Sequence, residues 1–197
     1  MGFWAAITGR RRAVPPRLDA LFAVPSAAIT LEASLGATPT GSGSVCFKSA
    51  QGAAFAQTTE EILALVRHGA ENPEVSLSQD GFGFTWLVVD GDPADSSDLC
   101  TRLHATNTTL VDQGFAEGLL CTLVPFRLPG GASFGLVYLY KQGTFYPFAP
   151  EPGHAASGGR RDSMLEFQVR DVLAAEGGLP LEADHSRWLA LWGAPGL

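Results

Sequence analysis

The stretch VSLSQDGFGFTWLVVD, residues 75–90, decides the fold class. Val75 to Gln79 and Phe82 to Asp90 are two runs rich in apolar, aromatic and β-branched residues, and Asp80-Gly81 between them tolerates the positive φ of a type I′ turn. A two-residue connection joins only antiparallel neighbours, because a parallel crossover needs a dozen residues or more. The spacing therefore predicts a hairpin, and the same plan recurs outward from it. Ala28 to Leu35 and Ser44 to Ser49 read as a strand pair around the loop Gly36 to Gly43. Leu119 to Phe126 and Phe134 to Lys141 read as another around Pro129-Gly130-Gly131, and Thr144 to Phe148 follows Gln142-Gly143 as a last short strand.

Helical patterns separate these pairs. Pro16 suits the first turn of a short helix through Leu18, Leu21 and Phe22 that ends before Pro25. Thr58 with Glu61 forms a capping box for a helix presenting Ile62, Leu63 and Val66 and stopping at Gly69. Asp95 to Gln113 carries Leu99, Leu103, Asn107 and Leu110 on one face and closes at Gly114. Ser163 with Glu166 is a second box, opening a helix with Leu165, Val169, Val172 and Leu173 buried and Gly177-Gly178 as its stop. Hairpins separated by single helices exclude an all-parallel sheet. The expectation is an α+β fold: a largely antiparallel sheet of six or seven strands built from hairpins, helices packed mainly on one face, and a docked C-terminal tail. That tail, residues 184–197, carries Trp188, Leu189, Leu191 and Trp192, too apolar to hang in water. Residues 1–17 are read as an arm and 18–197 as one domain, with a mobile polar loop at 151–159.

Composition limits what such a fold is for. Of 197 residues 46% are apolar and 17% charged, which supports a packed core and excludes disorder for most of the chain. Thirteen Lys and Arg against twenty Asp and Glu leave a net charge of −7, which argues against a broad nucleic-acid surface. Cys46, Cys100 and Cys121 each lie in an apolar run and read as buried thiols of a reducing compartment. No run of 18 apolar residues occurs, so no bilayer span is expected. The start lacks the pattern of a secretory signal, and Ala6 stands where an acylation motif needs Ser or Thr.

Candidate chemistry is sparse. His68, His154 and His185 have no second His or Cys at ligand spacing, so no metal site is expected. Cys100, His104 and Asn107 share a helix face and carry the residue types of a nucleophilic set, but known sites converge from different elements, and the structural reading is preferred. The glycine-rich stretches lack the lysine of a phosphate loop and the strand-to-helix context of a dinucleotide fingerprint. Tyr138, Tyr140, Tyr146 and Lys141, with Phe145 and Phe148, make an aromatic hairpin that either binds a ring or peptide or packs as core. Arg160 and Arg161 either sit in solvent or grip an acidic partner. In the arm, Phe3, Trp4 and Ile7 beside Arg10, Arg11 and Arg12 either touch anionic headgroups weakly and reversibly or fold back on the body. Trp188 and Trp192 complete the candidate interaction surface. No catalytic residue and no cofactor is assigned.

Several longer runs carry a resemblance. They are Val137-Tyr-Leu-Tyr-Lys-Gln-Gly-Thr-Phe-Tyr-Pro-Phe-Ala-Pro150, Ser186-Arg-Trp188 with Trp192-Gly-Ala-Pro-Gly-Leu197, and Met1-Gly-Phe with Val14-Pro-Pro16. Gly43-Ser-Val-Cys-Phe47, Phe84-Thr-Trp-Leu-Val-Val89 and Leu119-Leu-Cys121 join them. Together they resemble the actinobacterial PspA-associated family called PspAB over essentially the whole chain. The sequence departs from it at Phe82, Phe84, Gln142 and Leu189-Ala190, which bears on surface contacts more than on the fold. The resemblance implies a non-enzymatic cytoplasmic accessory of the membrane-associated coiled-coil protein PspA in envelope stress, and carries no ligand or catalytic residues. Against it stand two other classes: a small enzyme or ligand binder using Cys100 and His104 or the Tyr138–Phe148 hairpin, and a chaperone-like module binding extended segments at a sheet edge.

Overall fold

The structure is a computed structural model, and it describes residues 17–48, 63–64, 75–151, 153 and 159–197. The expected capping box at Thr58 and Glu61, the stop at Gly69, the arm 1–16 and most of the loop 151–159 lie outside the described residues. Leu63, which is described, is helical and packs against the core.

The architecture is α+β. After a 3-10 turn at Leu18–Ala23 come α1 (Val24–Leu35), β1 (Thr38–Pro39), β2 (Ser42–Phe47), β3 (Val75–Gln79) and β4 (Thr85–Asp90). Then follow α2 (Ser96–Asp112), β5 (Leu119–Arg127), β6 (Ser133–Leu139), β7 (Thr144–Phe148) and α3 (Ser163–Glu176), with a 3-10 turn at His185–Arg187 in the tail. The strands form one antiparallel sheet in the order β3-β4-β2-β5-β6-β7, with the short β1 beside β5. The expected hairpins β3-β4, β5-β6 and β6-β7 are present.

The first expected pair is corrected. Ala28 to Leu35 is not a strand but most of α1, and Pro25 does not end a helix: it stands in the first turn of α1, where its missing N–H has no intrahelical partner to lose. Gly36, at φ +67°, ends the helix in the left-handed conformation, its N–H donating to Glu32 O at 2.8 Å. β2 therefore has no hairpin partner of its own and becomes the sheet's centre, between β4 and β5. The β3-β4 turn is also wider than expected. Residues 80–84 form it, the positive φ falls at Gly83, and the Asp80 carboxylate accepts from the N–H groups of Phe82 (2.9 Å) and Phe84 (3.0 Å). The cap of α3 is Asp162, accepting from Leu165 N–H at 2.9 Å, rather than Ser163. For α2, which runs one residue shorter at each end than the expected Asp95 to Gln113, Asp95 is the cap, accepting from Asp98 N–H at 2.9 Å.

Among the described residues, α1, α2 and α3 lie on one face of the sheet. They bury Leu31, Leu103 and Leu173 with Val45, Phe47, Leu87, Val124, Phe126, Leu136 and Phe145. α2 approaches so closely that a Cβ on Gly43 of β2 would lie 2.7 Å from Leu103 Cδ1, which only glycine avoids. Residues Leu18–Leu35 are long and apolar enough to cross a bilayer by length and composition, with mean hydropathy 1.4, contrary to the expectation that no such segment exists. In the fold, Leu21, Val24, Ala27, Ala28 and Leu31 of that segment are core.

Candidate functional site

Strand alternation sends Cys46, Trp86, Cys121, Leu123, Val137, Tyr146 and Phe148 to the face opposite the helices, where the C-terminal tail covers them. The tail is held at points. Buried Glu182 accepts from Asp184 N–H and from the Thr144 hydroxyl, each at 2.9 Å, and lies 3.4 Å from Arg187. Its own carbonyl accepts from the Trp188 indole N–H at 3.1 Å. Burial pushes the Glu182 carboxyl up, but these hydrogen bonds and Arg187 outweigh it, so the group sits below its ordinary value. A second anchor is Arg161, whose Nε donates to the Glu166 carboxylate at 2.9 Å and whose Nη1 donates to the Trp188 carbonyl at 2.6 Å. Glu166 is buried, also accepts from Ala149 N–H at 2.9 Å, and is pushed up by that burial against the opposing pull of Arg161. The Tyr146 hydroxyl donates to Leu189 O at 2.9 Å as a third tie.

Between the ties the tail stands off the sheet and leaves a cavity of about 590 Å³. Cys46, Trp86, Leu120, Cys121, Leu139 and Tyr146 line it from the strands. Leu189, Leu191 and Trp192 line it from the tail, and Phe82 and Phe84 from the β3-β4 turn. At its mouth Phe82 is 55% and Leu189 61% exposed, the two large apolar residues of this face that remain in water. The polar groups around it are already engaged by the chain. Asp80 accepts from the Trp86 indole N–H at 3.0 Å, Lys141 Nζ donates to Glu117 O at 3.2 Å, and Arg187 faces Glu182 and Asp184. Such a site supplies apolar contact and shape, and its ionisable lining groups are Cys46, Cys121, Asp80, Lys141, Tyr146 and Arg187.

The residues singled out from sequence fall in four places. Phe3, Trp4, Ile7, Arg10, Arg11 and Arg12 lie outside the described residues. Tyr138 and Tyr140 point to the helix face and are buried, Tyr138 against Phe145 at 5.0 Å between ring centroids, and burial pushes the Tyr138 hydroxyl up to about 12. Tyr146 is buried on the other face, so the aromatic hairpin is cross-strand core and offers no free ring. Arg161 is spent on Glu166 and Trp188 and is not free to grip an acidic partner; Arg160 is exposed, 3.4 Å from Glu151. Trp188 packs on Tyr146 (5.9 Å) and Trp192 meets Phe148 edge-on (5.1 Å), both helping to hold the tail. Lys141 is on the cavity rim.

The Cys100, His104 and Asn107 set does not converge. Cys100 is fully buried, and burial pushes its thiol up to about 12. His104 turns to Asp19 (3.4 Å) and stacks on Phe22 (4.9 Å), while Asn107 donates to Leu103 O (2.8 Å) and to the Thr122 hydroxyl of β5 (3.0 Å). As for sheet edges, the outer edge of β7 is met by residues 180–182: Phe145 N–H donates to Pro180 O and Glu182 N–H to Phe145 O. The cavity residues Phe82, Phe84, Leu120, Leu139, Cys46 and Cys121 were not singled out, since only the cross-strand register brings them together.

Comparison with known proteins gives one match. The family model described as PspAB, PspA associated protein B, matches residues 1–196. No curated protein and no solved structure matches the chain.

Proposed function

The chain belongs to the PspAB family of PspA-associated proteins, and from that premise we propose that it is a non-enzymatic accessory that holds a PspA protein through the apolar cavity on the tail face of its sheet. In this reading the partner is a membrane-associated coiled-coil protein, the setting is the envelope-stress response, and the chain works in the cytoplasm at the inner face of the membrane. The arm carrying Phe3, Trp4 and Arg10 to Arg12 adds weak membrane contact. The observation that carries the reading is the cavity itself: its walls are aromatic and aliphatic, its mouth exposes Phe82 and Leu189, and of its rim charges Arg187 faces Glu182 while Asp80 and Lys141 are hydrogen-bonded to neutral groups. A helix laying apolar residues spaced three and four apart into such a groove buries apolar area against these walls. Co-purification tests it: the wild-type chain retains PspA from either direction, and Leu189→Asp or Phe82→Asp loses it. Equal retention by wild type and both variants would contradict the cavity as the docking site.

A second reading is favoured by the cavity's size. About 590 Å³ falls within the range of roughly 300–1,000 Å³ typical of small-molecule sites. An apolar ligand carried through purification and seen by native mass spectrometry would support it.

A further inference from the structure

Cys46 of β2 and Cys121 of β5 stand directly opposite each other in the antiparallel register, their side chains on the same face and both lining the cavity. We propose that this pair is a reversible oxidation site, a cross-strand dithiol that a small uncharged peroxide converts to an intramolecular disulfide. The inference is independent of what docks in the cavity.

The backbone already meets the requirement. Opposite residues of an antiparallel pair have Cα atoms about 4.5 or 5.5 Å apart, inside the window of roughly 4.4–6.8 Å that disulfides occupy. Their Cβ atoms are about 4.5–5.5 Å apart, within an ångström or so of the bonded spacing. A register shift between Cys46 and Phe47 gives β2 local freedom to close that gap. The neighbouring Cys121 thiol and burial hold Cys46 protonated. Reaction is therefore slow at neutral pH and quickens as pH rises, because the thiolate is the nucleophile.

Access sets the class of oxidant. Cys46 and Cys121 are 2% and 5% exposed, and the cavity wall around them is Trp86, Leu120, Leu139 and Tyr146, so a small neutral molecule enters where a charged tripeptide disulfide does not. One sulfur, as thiolate, attacks a peroxide oxygen; the O–O bond breaks, a sulfenic acid forms, and hydroxide leaves and takes the proton that the thiol released, as water. The second sulfur attacks the sulfenic sulfur; the S–O bond breaks, S–S forms, and a second water leaves with the remaining proton. Each thiol gives up one electron and one proton, and one peroxide becomes two waters. Cys100 is the internal control, since it is fully buried in α2 on the opposite side of the sheet.

The test uses the reduced full-length chain and hydrogen peroxide at pH 8.5, followed by alkylation in denaturant, intact mass and non-reducing peptide mapping. The expected result is a chain about 2 Da lighter before alkylation that takes up one alkyl group in place of three, with Cys46 and Cys121 in one linked peptide pair, restored by dithiothreitol, and Cys100 labelled throughout. Cys121→Ser abolishes that product and leaves Cys46 carrying a sulfenic or higher oxide. Three free thiols after an exposure that oxidises dithiothreitol itself would overturn the proposal. So would a bond to Cys100, bonds between molecules, or oxides on both cysteines in place of the bond.

Discussion

One sheet is finished by two different means on its two faces. On the first, α1, α2 and α3 bring continuous apolar stripes, and Leu31, Leu103 and Leu173 are fully buried. On the second, the tail has no regular element beyond the 3-10 turn at His185–Arg187, and it is held by Glu182, by Arg161 with Glu166, and by the Tyr146 hydroxyl. A helix delivers a side chain to the same face every three or four residues and fills what lies beneath it. An irregular segment delivers contact only where it is tied, and between ties it leaves space. The cavity is the consequence of that difference, and it offers apolar surface at Phe82 and Leu189.

The comparison can be broken first at the ties. Arg161→Ala leaves Glu166 buried without its cation and should cost about 3–5 kcal/mol in urea denaturation; a loss below about 1 kcal/mol would mean that the tail does not depend on this anchor. On the helix face, Leu103→Ala should cost about 2–5 kcal/mol, the usual range for a buried leucine. The two faces then fail for different reasons, one through an uncompensated charge and the other through a void.

The ties of the tail also differ in how acid reaches them. Glu182 and Asp184 are held below their ordinary values, Glu182 despite burial and Asp184 chiefly by the Ser186 hydroxyl. Their contribution is present above the unfolded values and is lost as pH falls through the folded ones, below the usual carboxylate range. Glu166 is raised by burial, so its term runs the other way: it favours folding below the unfolded value and is lost as pH rises through the folded one. Glu182→Gln should therefore flatten the acid limb of the denaturation midpoint against pH, whereas Glu166→Gln should steepen the same plot. The smallest effect is at the mouth, where Leu189→Ala and Phe82→Ala should change stability by less than about 0.5 kcal/mol, because both side chains are already largely in water.

Much of the helix face was legible in the sequence because periodicity reports it. Leu99, Leu103, Asn107 and Leu110 lie on the buried stripe of α2, and Asp95 and Gly114 bound it as expected. α1 was misread because Ile29 and Thr30 are β-branched and Pro25 resembles a stop, although proline in a first turn costs a helix nothing. The placement of β2 between β4 and β5 is a non-local choice that no local pattern encodes, and with it went the meeting of Cys46 with Cys121. The tail was recognised as docked from Trp188 and Trp192, but not where it stands off, since that depends on Arg161 and Glu166 finding each other in a buried pair rather than in solvent.

In the proposed reading PspA meets the tail face, not the helix face. It is tested most directly by titrating purified PspA with two variants, Leu189→Asp at the cavity mouth and Ile29→Asp on α1, whose side chains are 61% and 71% exposed. Leu189→Asp is expected to weaken binding at least about tenfold, a loss of about 1.4 kcal/mol, while Ile29→Asp binds as wild type. Unchanged binding by Leu189→Asp, with loss on Ile29→Asp, would contradict it.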